Sequence, residues 1–252
     1  MVAVAIFFAA FVQVLSGFGF ALLSMPIMTL AIPVKEAVVV STLLGTFSTA
    51  WQAVKLREDT QRPLAKRLTL GAFVGMPLGL FVLNVVSDTS LRLSLGIAVI
   101  IATLLLVARI NLSAATNHFD YAVGFVSGVL NTSLSTNGPP LVFGLQARHL
   151  QPAGFRATIS TVFAYSNVVT LALFALNGKI TADGLTAAAI AFPAWGIGQG
   201  LAWPVRKHVH GERFRVMVLS LLFIAGTSTI AFAIINVVKL VPYWALGQFN
   251  PS

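Results

Sequence analysis

The chain has 252 residues, 57% of them hydrophobic and 9% charged, with a mean hydropathy of +0.90. A soluble domain carries about a quarter charged residues, so this composition excludes that class and leaves an integral membrane protein embedded in lipid. The net charge of +9 lies in short clusters between apolar runs, which is how cytoplasmic loops look, and no nucleic acid partner is expected.

Residues 2–32 form an apolar stretch longer than the ~20 residues that span a bilayer. Ser16, Gly17 and Gly19 interrupt it, and Ser24 and Pro26 follow. It lacks the basic start of a signal peptide, so it belongs to the fold. Lys35 and Glu36 open a second segment to about Val54, in which Ser41, Gly45, Ser48 and Gln52 recur at helical spacing. That makes one polar stripe, which must face protein or a cavity. A basic loop, residues 55–67, ends this helical hairpin. The third segment, to about Val86, has Gly71, Gly75 and Gly79 at every fourth position, with Pro77 among them. Small residues so spaced let helices approach closely. The fourth segment, residues 91–107, is aliphatic scaffold.

The polar linker at residues 111–120 divides the chain into a first membrane repeat, 1–112, and a second, 113–252. Early in the second stands the most polar run of the chain, residues 130–144, LNTSLSTNGPPLVFG. Pro139 and Pro140 remove two backbone donors, while Asn131, Thr132, Ser133, Ser135, Thr136 and Asn137 offer side-chain partners to a backbone that has left the helical ladder. Such a break survives at membrane depth only inside protein or beside a water-lined cavity. The sixth segment, residues 155–177, has a polar side of Ser160, Tyr165, Ser166, Asn167 and Thr170. For any single hydroxyl, bonding between helices is the competing role. A seventh segment follows at 184–203, a second basic loop at 205–215 and an eighth segment at 216–238. Aligning Pro26 with Pro140 sets one break against the other. With a longer following loop, Ser41 then falls on Ser160 and Ser48 on Asn167. The step GMPLG at 75–79 matches GIGQG at 196–200.

Charge counting separates two topologies. If both interrupted segments cross the membrane, the 16 Lys and Arg divide eight against eight. If each is instead a re-entrant pair of half-helices, each repeat crosses three times and the repeats are inverted. The division becomes twelve against four, with Lys35, Arg92, Lys179 and Lys239 on the lean side. The positive-inside rule selects this arrangement, an all-α polytopic protein with both termini outside the cytoplasm. It also brings both breaks toward the bilayer midplane, where transporters built of inverted repeats bind substrate.

The chemistry of the breaks suits an anion. A half-helix starting after each one turns unpaired N–H groups and its positive dipole end toward the tip. Glycine permits close approach, and neutral donors complete the shell. The candidate substrate-binding residues are Ser16, Gly17, Gly19 and Ser24 with Ser41, Ser48 and Gln52 from the first repeat. From the second come Asn131, Ser135, Thr136, Asn137, Gly138, Ser160, Tyr165 and Asn167. No catalytic set, metal site or cofactor motif is expected: His208 and His210 read as a solvated loop, and there is no P-loop.

These motifs, GFGFALLSMP, SGVLNTSLSTNGPP and the two glycine steps, taken in order along the whole chain, resemble the sulfite exporter TauE/SafE family, also called the TSUP transporters. The resemblance implies movement of sulfite, or of a small organosulfonate such as sulfoacetate, across the bacterial inner membrane. A homodimer is compatible with it, and carrier and channel remain alternatives.

Overall fold

The computed structural model describes residues 2–108, 116–148 and 150–205, with Phe223, Thr227, Ile230 and Ala231 beyond. The repeat boundary at 112/113, the histidines at 208 and 210 and most of the eighth segment lie outside the described residues. All regular structure among the described residues is helical, and four helices are long and apolar enough to cross a membrane.

The first half of the chain opens with α1 (Val2–Ser16), which stops where Gly17 and Gly19 take φ of 84° and 96°, a left-handed backbone that costs glycine little. The Ser16 hydroxyl fixes this turn, donating to Val12 O at 2.8 Å and accepting from Phe18 N–H at 3.3 Å. The short α2 (Phe20–Met28) folds back along α1. Then come α3 (Val34–Lys55), a 3₁₀ turn (Arg57–Asp59), α4 (Arg62–Val85) and α5 (Asp88–Ala108). The Asp88 carboxylate accepts Val34 N–H at 3.0 Å and so caps the start of α3 from a distant element.

The second half of the chain runs α6 (Asn117–Leu134), α7 (Gly138–Gln146), α8 (Pro152–Leu176) and α9 (Ala182–Val205). Here the break is Ser135 to Asn137, and Ser135 carries the left-handed turn at φ 55°. Asp120, 1% exposed near the start of α6, receives Arg67 Nε at 2.8 Å and Arg148 Nη2 at 2.6 Å. Arg148 also donates to Thr116 O at 2.8 Å. The chain leaving α7 therefore returns to the level where α6 began. Removing one partner from such a buried pair typically costs about 3–5 kcal/mol. Gln61 N–H donates to Thr158 Oγ1 at 3.0 Å, which brings the first basic loop to the start of α8 as well. Arg67 and Arg148 thus share one end of the bundle, whereas a crossing α6–α7 segment would have parted them.

Packing between the two halves is reciprocal: α4 lies along α6, α9 along α1, and α3 against α8. The α4–α6 seam is made by glycine on both sides. A Cβ on Gly71, Gly75 or Gly79 would come within 2.2–2.3 Å of the Tyr121, Phe125 and Val129 carbonyls, and one on Gly128 within 2.0 Å of Ala72 O. In α9 it is Gly198 that meets α1, at Phe7 O, while Gly196 and Gly200 face open space. The expected match of Gly75 and Gly79 with Gly196 and Gly200 therefore holds in sequence but not in contact.

The pairing of Pro26 with Pro140 also shifts. The caps of the short helices are Gly19 and Asn137, α3 begins six positions after α2 at Val34, and α8 begins six after α7 at Pro152. Aligned on these caps, Pro26 falls opposite Gly144 and no longer loop is needed. Proline misleads because Pro139 and Pro140 sit in the first turn of α7, where a missing N–H costs nothing, while Pro26 lies inside α2.

Candidate anion site between two helix breaks

Both breaks are buried. Residues 131–139 are buried without exception, and so are Gly17, Gly19 and most of α2. Between them lies a cavity of about 30 Å³, lined by Gly19 to Leu22 at the head of α2 and by Ser135 to Gly138 at the head of α7. Its sides are Gln13 from α1, Ser41, Gly45 and Thr49 from α3, and Phe163 and Asn167 from α8. That volume holds a water or two. No charged side chain lines it.

Both short helices begin without a side-chain cap. In α2, Leu23 N–H is the first to bond back, to Gly19 O at 3.1 Å. The N–H groups of Phe20, Ala21 and Leu22 are therefore the orphan donors of the first turn. The second break works differently, because Pro139 and Pro140 leave Gly138 alone to offer a first-turn N–H. Side chains replace the rest. Asn137 is 7% exposed and its Nδ2 is buried with no hydrogen-bond partner. Asn167 Nδ2 approaches from α8, and the Asn167 side chain makes no hydrogen bond among the described residues. A buried amide donor left unsatisfied costs about 1–3 kcal/mol, so a site that keeps one facing a cavity is built for an acceptor.

The expected site residues divide by their partners. Gly19, Ser41, Ser135, Thr136, Asn137, Gly138 and Asn167 line the cavity. Others hold the helices around it. Ser24 meets Ser41 at 3.4 Å, Ser160 donates to Gln52 Oε1 at 3.3 Å, and Asn131 Nδ2 donates to Thr170 at 2.9 Å. Ser48 donates to Gln13 Oε1 at 2.5 Å and accepts from Gln199 Nε2 of α9. Ser16 is occupied by its own turn. Gly17 lies against α8, where a Cβ would come within 2.8 Å of Arg156 Cγ. Tyr165 is 60% exposed and faces away, into a separate groove. Gln13 and Thr49 were not expected. Gln13 carried a signal, being the one amide in the apolar run that forms α1.

Among the described residues no group of three or more His, Asp or Glu is placed to hold a metal ion. What the arrangement can do is surround a small acceptor-rich solute with neutral donors and two positive helix ends. The sequence model of the family described as Sulfite exporter TauE/SafE matches residues 2–227. No curated protein and no solved structure matches the chain.

Proposed function

Because this chain belongs to the sulfite exporter TauE/SafE family, we propose that it is a secondary carrier that exports sulfite, or a related small organosulfonate, through the cavity between its two helix breaks. The observation that carries this is the convergence of two uncapped helix starts on an uncharged cavity, with the Asn137 amide buried and unpartnered beside it. Sulfite is small and presents three acceptor oxygens to converging donors. A cavity of about 30 Å³, walled by Phe20, Leu22 and Phe163, favours a carrier that opens to each side in turn over a standing pore.

The halves act as inverted repeats, each a re-entrant pair plus three crossing helices, with the basic loops in the cytoplasm and both termini in the periplasm. Three features support this: the equal spacing of the two short helices from their successors, the reciprocal packing of α4 and α9 on the opposite hairpins, and the meeting of Arg67 with Arg148 at Asp120. The chain contains no cysteine, so single thiols report topology cleanly. Gln61→Cys should resist an impermeant thiol reagent added to intact cells, and Ser90→Cys should react. The reverse pattern would sink the orientation.

Transport itself is tested in proteoliposomes of purified protein. Preloaded unlabelled sulfite should accelerate uptake of labelled sulfite, as a carrier requires and a pore does not. Uptake indifferent to preloading would favour a channel, and no sulfite flux under any gradient would remove the assignment.

A further inference from the structure

The exposed ring of Tyr165 opens onto a second concavity, a groove of about 810 Å³ between the end of α3, the start of α4 and the middle of α8. No residue lines both this groove and the central cavity, so the two are separate spaces. Its walls are apolar, with Val54, Leu70 and Phe73 prominent. At one end stand Arg57, Arg62 and Lys66. All three are exposed, and none forms an ion pair among the described residues. The neighbouring carboxylates of Glu58 and Asp59 line a different groove, toward the start of α8.

From Arg62 to Phe73 the trough runs along α4 for roughly 16 Å at 1.5 Å per residue. An apolar trough parallel to membrane-crossing helices, closed at one end by three cations, has the shape and polarity of an amphiphile with an anionic head. A second copy of the chain docking here about a two-fold axis would set these cations against their own copies, which is repulsive. A zwitterionic lipid would carry its own positive charge to the same place. We propose that the groove binds one anionic phospholipid, its phosphate among Arg57, Arg62 and Lys66 and an acyl chain along Leu70 and Phe73.

The test is native mass spectrometry of the delipidated full chain in detergent, titrated with phosphatidylglycerol and, in parallel, with phosphatidylcholine of matched acyl chains. The wild type should retain one phosphatidylglycerol at concentrations where phosphatidylcholine is lost. Replacing all three cations (Arg57→Gln, Arg62→Gln and Lys66→Gln) should weaken retention by about 100-fold, from about fivefold for each cation. Leu70→Trp, which fills the trough without changing charge, should also displace the lipid. Retention of phosphatidylglycerol unchanged in both variants, or equal retention of the two lipids by the wild type, overturns the proposal. So does a dimer that Leu70→Trp dissolves, since it would give the groove to a second copy.

Discussion

The two breaks face one cavity and supply it with different chemistry. At the first, two left-handed glycines turn the chain, and the donors are the backbone N–H groups of Phe20, Ala21 and Leu22. At the second, two prolines strip the helix start of donors and the unpartnered Asn137 amide stands in their place, beside a Ser135 hydroxyl that meets Thr42 and a Thr136 hydroxyl that donates to Leu134 O. Backbone donors persist whatever side chain is attached, so the first break gives a constant positive end. Side-chain donors change with sequence. On the proposed function, the second break would therefore set selectivity among anions, and the first would fix geometry.

The sharpest way to break this contrast is to load the first turn. Gly17→Val forces a β-branched residue to φ 84° and drives it into Arg156. Strain and overpacking each cost about 1–3 kcal/mol, so a stability loss of roughly 2–6 kcal/mol and the disappearance of sulfite flux are expected. Thermal unfolding in detergent beside a flux assay reads both. Asn137→Ala should behave oppositely. Its amide has no partner to lose, so the melting temperature should hold while sulfite binding weakens by about 5- to 150-fold, the worth of one desolvated donor. Titration calorimetry measures that, with Asn131→Ala as the contrast that lowers stability through its lost bond to Thr170.

A smaller effect is expected at Gly138, which is helical and whose Cβ would find Leu22 and Phe163 at 3.8 and 3.9 Å. Gly138→Ala should leave the fold as stable or slightly more so, by about 0.5–1 kcal/mol, while narrowing the cavity and slowing transport several-fold. If it melted as early as Gly17→Val, the two breaks would not differ as described. Smallest of all is Ser135→Gly. It relieves about 1 kcal/mol of left-handed backbone and gives up about as much in the hydroxyl contact to Thr42 at 3.1 Å. Stability should stay within measurement error, and sulfite affinity should fall only a few-fold.

Much of this was legible in the chain. Glycine pairs, prolines and a run of hydroxyls inside apolar sequence located both breaks to within a turn, and helical spacing found the buried face of α3. The aliphatic sequence of α5 likewise read correctly as helix. Two things were harder. Ser24, Gln52, Asn131 and Ser160 have the composition of a binding site but bond to one another or to neighbouring hydroxyls, with Gln52 Nε2 and Asn131 Oδ1 left over, and only the packing of α2, α3, α6 and α8 reveals that. Tyr165 could have been set aside on spacing alone, since residues two apart lie on different faces of a helix and Asn167 holds the inward one. Gln199 was hidden by its glycine neighbours, which read as a packing step and not as the second partner of Ser48.

The reciprocal packing has a consequence for how the protein is made. The principal neighbour of α1 is α9, which begins at Ala182. At about 5–20 residues per second, a ribosome needs roughly 10–40 s after finishing α1 to deliver the residues it rests on. During that interval the face of α1 destined for Gly198 has only lipid or its own hairpin to touch, and α4 waits likewise for α6. A helix made before every other described one is thus among the last to be packed.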